Sequence, residues 1–163
     1  MQEMERIDKI LNHDLFIECV EKNRKAEENR QFCRHDMVHF LDVARIGMIL
    51  KLKEGIPVAD ELVYAAGLLH DIGRYVQYAD GTPHELASAA IAPKILADCG
   101  FDDKETGDIL NAIRLHRTKE IAGEPSLAGI LYRADKASRP CFVCRAEKDC
   151  NWKNERKNLR IRF

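Results

Sequence analysis

Apolar residues recur at spacings of three, four and seven positions along most of the 163-residue chain. Such spacing places them on one face of an α-helix, and the alternation of β-branched residues that indicates strands is missing. The sequence therefore predicts an all-α fold. We place its helices at about residues 14–29, 35–53, 59–71, 84–99, 102–116 and 126–137, with Pro93 as a kink or break in the fourth and a turn-rich loop at 78–83.

The bulk composition is that of one soluble globular domain, which we expect to cover residues 1–163. The 26 Lys and Arg residues nearly balance the 27 Asp and Glu residues, so no basic field favours nucleic acid or an anionic membrane as a partner. No apolar run approaches the ~20 residues that cross a bilayer, and the charged N-terminus does not resemble a signal peptide. These features predict a cytoplasmic protein whose six cysteines are reduced thiols.

Five of the predicted helices carry a histidine or an aspartate on the apolar face. For example, Asp135 shares its face with Leu131 and Ala128. Charged groups rarely face a protein core unless they are paired or bind a metal. The residues concerned are His39, His70, His84, His116 and Asp135, and Asp71 directly follows His70.

These six side chains predict a metal centre inside a helical bundle. A single histidine on an apolar face is more often a hydrogen-bonded core residue, but donors on five helices can meet at one internal point. Imidazole and carboxylate donors without thiolate suit divalent iron, manganese, nickel, cobalt, zinc or magnesium. Six donors exceed one tetrahedral zinc site and suit a dinuclear centre with a shared carboxylate.

The donors lie in five segments that follow one another in a recognisable order. These are His39-Phe-Leu-Asp-Val-Ala44, Gly67-Leu-Leu-His-Asp-Ile-Gly-Arg74, His84-Glu-Leu-Ala-Ser-Ala89, Ile109-Leu-Asn-Ala-Ile-Arg-Leu-His116 and Leu131-Tyr-Arg-Ala-Asp-Lys136. Over about residues 34–139 the chain resembles the HD-domain superfamily of metal-dependent phosphohydrolases, whose defining motif is the His-Asp doublet. Within it, the order is most similar to the bacterial diadenosine tetraphosphate hydrolases. Arg117, the segment 136–140 and the cysteine-containing, charged tail 140–163 depart from that branch.

The resemblance implies an HD-domain bundle with two divalent ions in its core. Asp71 would bridge the ions, one of which would take His39 and Asp135. The other would take His84 and His116, and His70 completes the set.

The implied activity is hydrolysis of a nucleotide phosphate ester or anhydride by a metal-activated hydroxide. Asp71 and Arg74 are the expected catalytic residues, because developing phosphoryl charge needs a cation beside the metals. A solvated helix end is the alternative role for each cation. The substrate-binding candidates are His35, Arg74, Arg114, Arg117, Lys136 and Arg139.

Two other functions use the same residues. A di-iron oxygenase would employ the same six ligands, and a catalytically silent signalling module would only bind the metal. The expected partner is a small phosphorylated or nucleotide substrate, and a homodimer is compatible with the sequence.

A Cys-x-x-Cys pair stands at Cys141 and Cys144, followed by Cys150. Such a pair is a recurring half of a zinc site. The fourth ligand would come from Cys33, Cys99, Cys19 or a histidine, and packed or redox-sensitive thiols are the interpretation that we favour. The tail that follows either closes over the pocket or forms a solvated terminal helix.

Overall fold

The computed structural model describes residues 3–161, and within this range it contains helices and no β-strand. The predicted all-α fold is therefore confirmed. The α-helices are α1 (Glu5–Leu11), α2 (Asp14–Ala26), α3 (Met37–Glu54), α4 (Asp60–Leu69), α5 (Arg74–Asp80), α6 (His84–Asp98), α7 (Asp103–Leu115) and α8 (Leu127–Ala137). Short 3₁₀ helices cover Lys119–Gly123, Cys141–Val143 and Asn154–Arg156.

Helices α1 and α5 were not predicted from the sequence. Each has seven residues, too few to show a clear apolar period. Helix α5 also buries none of its side chains completely, so it carries no apolar stripe. It replaces the first half of the loop expected at 78–83, and it ends at Gly81 with φ +82°.

Helix α4 lies at the centre of the bundle and packs against α1, α3, α7 and α8. Its sequence is apolar on nearly every side, which is typical of a helix that is surrounded by others. Gly67 permits the close approach of α3, because a Cβ there would lie 2.8 Å from the backbone of Ala44. The chain leaves α4 directly before His70, so the His-Asp doublet stands in a buried turn.

The turn after α4 lies against α6. Gly73 donates its backbone N–H to the hydroxyl of Ser88 at 2.9 Å, and a Cβ on Gly73 would lie 2.5 Å from the backbone nitrogen of Ser88. Helix α6 continues through Pro93, so the break considered at that position was wrong. The loss of one backbone hydrogen bond is offset here by burial of both flanking turns.

Side-chain caps fix where the ligand-bearing helices begin. The carboxylate of Asp36 accepts a hydrogen bond from the backbone N–H of His39 and so starts α3 one turn before that histidine. Ser126 caps α8 in the same way. Helix α7 begins with a capping box formed by Asp102 and Glu105.

The apolar core extends beyond residues 34–139, since Ile10 of α1 and Phe16 of α2 are buried in it. The tail behaves differently. Among residues 140–161 only Ala146 is buried, and the chain there forms turns and two short 3₁₀ helices. Among the described helices, none combines the length and apolar character that a membrane crossing needs.

Candidate metal centre

The structure brings the six predicted ligands together in two adjoining groups. All six are buried, and Asp71 belongs to both groups. The first group is His39, His70, Asp71 and Asp135, and the second is Asp71, His84 and His116. In each group one donor atom per residue lies within 4.8 Å of all the others.

The two oxygens of the Asp71 carboxylate face different groups. Its Oδ2 lies 3.3 Å from His70 Nε2 and 3.7 Å from His39 Nε2. Asp135 completes this side, with its Oδ1 3.5 Å from His39 Nε2 and 3.8 Å from His70 Nε2. The resemblance implied His39 and Asp135 on this side of Asp71, and the structure adds His70 to them.

On the other side, Asp71 Oδ1 lies 3.2 Å from His84 Nε2 and 3.6 Å from His116 Nε2. The two Nε2 atoms are themselves 3.3 Å apart. A carboxylate whose oxygens face separate donor groups is arranged as a bridging ligand would be.

Backbone carbonyls orient two of the histidines. Nδ1 of His70 lies 2.8 Å from the carbonyl oxygen of Gly67, and Nδ1 of His116 lies 2.6 Å from that of Ile113. A carbonyl can only accept, so Nδ1 carries the proton in both rings. The Nε2 atoms of both rings therefore face the centre, which is the orientation of metal ligands.

Side chains orient the other two histidines. Nδ1 of His84 lies 2.6 Å from both Oε1 of Gln77 and Nη1 of Arg74, so it either donates to the amide oxygen or accepts from the guanidinium. Nδ1 of His39 lies 3.2 Å from the hydroxyl of Ser138, and this hydroxyl donates to the carbonyl of Asp135 at 2.8 Å. Because the Ser138 proton is committed to that carbonyl, its oxygen accepts from His39. Both rings are thus held with Nε2 directed inward.

Buried atoms without hydrogen bonds show that this donor set fits a cation. His70 Nε2 and Asp71 Oδ1 are both fully buried and form no hydrogen bond. Leaving such groups without a partner costs free energy, and an ion in each donor group would satisfy the atom that faces it. Imidazole nitrogens with carboxylate oxygens form a divalent-metal donor set, so the residues present fit the ions that the sequence predicts.

Burial and the charges around the centre set the protonation of its side chains. Burial lowers the pKa of His39 to about 4 and that of His84 to about 3, so both imidazoles are neutral at pH 7. Burial also disfavours charge on His70, but the carboxylates of Asp71 and Asp135 outweigh it and raise its pKa to about 9. The cationic surroundings of both carboxyls hold their pKa values well below the usual range despite burial.

A cavity of about 340 Å³ opens onto the centre. Its wall combines ligands from both groups with cationic side chains and two aromatic side chains. The cations are Arg30, Arg74, Arg117, Lys136 and Arg139, and the aromatic side chains are Phe32 and Trp152. Four of the predicted substrate-binding cations therefore line the cavity.

Arg139 and Lys136 reach the first donor group from the end of α8. Arg139 is buried, with Nη2 3.2 Å from Asp135 Oδ1 and 3.3 Å from His39 Nε2. Lys136 Nζ lies 2.5 Å from the other carboxylate oxygen of Asp135. Two cations are thus placed beside the donors without belonging to them.

Arg74 lies beside the second donor group. Its Nη1 is 2.6 Å from Nδ1 of His84, and its buried Nε forms no hydrogen bond. Its charge is partly offset by Glu27, whose Oε1 is 3.9 Å from Nε.

The remaining two predicted substrate residues have different positions. His35 lines the cavity, with Nδ1 2.5 Å from Glu27 Oε1 and Nε2 3.7 Å from Asp71 Oδ2. Arg114 is exposed on α7 and is not part of the cavity wall. Its predicted role in binding substrate therefore finds no support in the geometry, whereas Arg117 after the same helix does reach the wall.

Several residues of the site were not singled out from the sequence. Asn23 is fully buried and binds the backbone on both sides of the doublet turn. Glu27, Gln77 and Ser138 position His35, His84 and His39 through the hydrogen bonds described above. The available signal was that Asn23 and Glu27 continue the apolar stripe of Phe16 and Cys19 along α2.

Known proteins resemble this chain over most of its length. The HD domain matches residues 37–139. An uncharacterized protein of Clostridium beijerinckii is 40% identical over 160 residues, which cover 98% of this chain and 100% of that protein. Ribonuclease Y of Acetivibrio thermocellus is 29% identical over 130 residues, covering 78% of this chain and 23% of that enzyme.

Ribonuclease Y of Mycoplasma mycoides is 30% identical over 131 residues, covering 78% of this chain and 28% of that enzyme. The chain thus spans about a quarter of the length of these ribonuclease Y relatives. No solved structure gives a significant match.

Proposed function

The chain belongs to the HD-domain family, and we propose that it is a metal-dependent phosphohydrolase acting on a phosphate ester or anhydride of a nucleotide. The observation that carries this proposal is the position of Asp71, whose two oxygens face two separate groups of buried donors. His39, His70 and Asp135 would hold one divalent ion with Asp71, and His84 and His116 would hold the other. Bound ions supply Lewis acidity and lower the pKa of coordinated water towards neutrality.

The cations of the cavity are suited to binding a phosphoryl group. Arg139 presents a planar guanidinium beside the first donor group, and Arg74 presents a buried Nε–H without a hydrogen-bond acceptor. Both can donate to phosphoryl oxygens as negative charge develops on them. Lys136 adds a third positive charge close to the same place.

The cavity also has space and chemistry for the remainder of a nucleotide. A second cavity of about 720 Å³ shares Arg117, Lys136 and Trp152 with the first. Its wall is cationic and includes Lys119, Lys153 and Arg156. The indole of Trp152 offers a surface on which a base can stack, and the cations beyond it suit a further phosphate. These features favour a nucleotide over a small phosphate ester.

Two similarities suggest different substrates within this class. The order of the five ligand segments resembles diadenosine tetraphosphate hydrolases, whereas the relatives with a functional name reported above are ribonuclease Y. A dinucleoside polyphosphate and the end of a short RNA both present a phosphate with a base on each side. We favour the dinucleotide because Trp152 is the aromatic side chain that both cavity walls share, whereas Phe32 and Tyr132 each belong to one wall.

A panel of substrates tests the proposal. Purified protein is incubated with Mn, Fe, Co, Ni or Mg and with dinucleoside polyphosphates, guanosine polyphosphates, nucleoside monophosphates and a short oligoribonucleotide. Release of phosphate or mononucleotides is measured together with oxygen consumption. We expect metal-dependent hydrolysis of a nucleotide without oxygen uptake. Oxygen consumption with iron and no hydrolysis would instead establish an oxygenase.

The matched variants are Asp71→Ala and Asp42→Ala. Asp42 lies on α3 with His39 but outside the cavity wall, so its variant keeps the donor set. We expect Asp71→Ala to lose hydrolysis and most bound metal, while Asp42→Ala retains both. Hydrolysis that survives Asp71→Ala at the wild-type rate would place the active site elsewhere.

A further inference from the structure

Four cysteines that the HD centre does not use gather at one edge of the cavity. Cys33 precedes α3, and Cys141, Cys144 and Cys150 belong to the tail. Three of them, Cys33, Cys141 and Cys150, line the cavity together, and all four are free thiols of intermediate exposure. Segments more than a hundred positions apart in the chain thus bring their thiols to one place.

Successive three-residue turns keep the tail thiols near one another. The backbone N–H of Cys144 donates to the carbonyl of Cys141, that of Glu147 to Cys144, and that of Cys150 to Glu147, at 3.2, 3.2 and 3.3 Å. The 3₁₀ helix ends at Val143 and Cys144 is extended, so these turns fold the tail back on itself and keep its three cysteines within ten residues of one another.

The tail lacks a hydrophobic core of its own that would hold it in this arrangement. Phe142, Val143, Leu159 and Ile161 are all exposed, and Ala146 is the buried residue of the segment 140–161. Its contacts with the bundle are polar: Gln31 bonds Asp149 at 3.3 Å, and Asn158 Nδ2 donates to the backbone carbonyls of Lys136, Ala137 and Arg139. Each such bond contributes about 1 kcal/mol, so a metal ion shared with the segment before α3 would add substantially to the attachment.

We propose that Cys33, Cys141, Cys144 and Cys150 form a tetrathiolate zinc site, distinct from the HD centre, that fastens the tail to the segment before α3. Among residues 3–161 no three of these sulfurs lie mutually within 4.8 Å, so the ion draws the thiols inward from the spacing seen here. Four thiolates at about 2.3 Å are a usual structural zinc shell. The exposed turns of the tail allow this movement without disturbing the helices.

Two cations favour the thiolate state that zinc requires. Burial raises the pKa of Cys33, and the positive charge of Arg139 opposes that rise. Lys157 has little exposed side chain and lies within electrostatic range of Cys150 and Cys141. A zinc ion with four thiolates has a net charge of −2, and these two cations, which also pair with Asp135 and Glu147, offset part of it.

The site has a consequence for the cavity. Asn151 and Trp152 follow Cys150 directly and form part of the cavity wall. An ion held by Cys150 fixes the backbone next to Trp152. The zinc site would therefore set the shape of the cavity mouth although it takes no part in hydrolysis.

Zinc content of the full chain tests the proposal. Asp71→Ala removes the shared ligand of the HD centre but leaves His39, His70 and Asp135, so zinc in this variant is assigned to the thiols by its release with a thiol reagent and its loss with a cysteine. We expect one tightly held zinc per chain in Asp71→Ala, released by a mercurial thiol reagent, and none in Asp71→Ala combined with Cys144→Ser. Val143→Ser in the same background is the control, because Val143 is exposed in the same turn and has no thiol.

Two further measurements, cobalt substitution and alkylation, test the site in chains that keep all their cysteines. Cobalt in the Asp71→Ala chain should give a thiolate-to-metal charge-transfer band and tetrahedral ligand-field bands. In the wild-type chain, strong chelation should speed alkylation of the four cysteines and proteolysis of the tail. Zinc retained unchanged when Cys144→Ser is added to Asp71→Ala would overturn the proposal. So would intramolecular disulfides, an iron–sulfur chromophore, or the absence of zinc from protein purified under reducing conditions.

Discussion

The side-chain amide of Asn23 holds the backbone carbonyl of Asp71. Asn23 Nδ2 donates to that carbonyl at 2.9 Å, and Asn23 Oδ1 accepts from the backbone N–H of Tyr75 at 2.8 Å. One buried side chain of α2 therefore holds the backbone of the doublet turn at two points, Asp71 and Tyr75. The orientation of the Asp71 carboxylate therefore depends on a helix that contributes none of the six proposed ligands.

Replacing Asn23 by Ala or Asp should weaken metal binding without removing a ligand. Asp keeps an acceptor for Tyr75 but cannot donate to Asp71, so the two variants separate the two hydrogen bonds. We expect Asn23→Ala to lose about 1–3 kcal/mol of stability and either variant to lower metal affinity about 10–100-fold. Calorimetric titration with Mn or Co measures the affinity, and Asn111→Ala on the exposed face of α7 is the control. Equal affinity in wild type and Asn23→Asp would contradict a positioning role.

Glycine substitutions should distinguish close packing from helix propensity. A Cβ at Gly73 would lie 2.5 Å from the backbone nitrogen of Ser88, whereas one at Gly107 in α7 would meet no atom within 4 Å. We expect Gly73→Ala to be destabilising by more than about 2 kcal/mol, because backbone atoms must move. Gly107→Ala should instead be stabilising by about 0.5–1 kcal/mol. Urea denaturation of both variants measures the difference, and a neutral Gly73→Ala would show that α6 is free to shift.

Metal binding should raise the thermal stability of the protein. His70 Nε2 and Asp71 Oδ1 are buried without a hydrogen bond among the described residues, and a metal ion would bind them in the folded protein but not in the unfolded chain. A ligand at 100 times its Kd stabilises by about 2.7 kcal/mol, so saturating metal should raise Tm by several degrees. Asp71→Asn, which keeps the shape of the side chain, should lose most of this increase. A Tm increase of the same size in Asp71→Asn would mean that the ion binds outside the centre.

Glu27 should contribute to the acid sensitivity of the protein. Burial by itself raises the pKa of this carboxyl, but hydrogen bonds and charge from His35, with a hydrogen bond from Tyr78, bring it from 4.5 down to about 2. A carboxyl whose pKa is lower in the folded state stabilises that state above the unfolded pKa. The contribution is therefore complete above about pH 4.5 and disappears as the pH falls towards 2.

The variant Glu27→Gln lacks this titration. It should be less stable than wild type at pH 6, and the difference in free energy of unfolding should narrow between pH 5 and pH 2. Denaturation in urea at several pH values measures this, with Glu120→Gln on the surface as the control. A difference that stays constant over that range would show that the ion pair with His35 does not control the pKa of Glu27.

The donors of the centre could be predicted because they combine two independent signals. Each lies at an apolar helical position and has a side chain that binds metals, so His39, His84, His116 and Asp135 stand out without knowledge of the packing. The pairing of His70 with the first group could not be predicted in this way. It depends on where the chain turns after Leu69, and helix ends are poorly defined by periodicity.

The supporting residues were missed because their types are common on surfaces. Asn23 and Glu27 occupy the same stripe as buried residues, but polar residues near the end of a helix are usually solvated. Gln77 lies on α5, whose existence depends on contacts with α2 and α6 rather than on its own sequence. The position of Trp152 depends on how the tail folds over the bundle, which no local pattern encodes.

The hydrogen bond between Ser138 and His39 joins residues 99 positions apart, and the donors on either side of it come from α3 and α8. During synthesis the first ligands leave the ribosome long before the last. The centre is therefore incomplete until α8 has emerged, and a chain that stops before Asp135 lacks part of its first donor group. Full metal loading then becomes a late event that reports whether the whole bundle has been made.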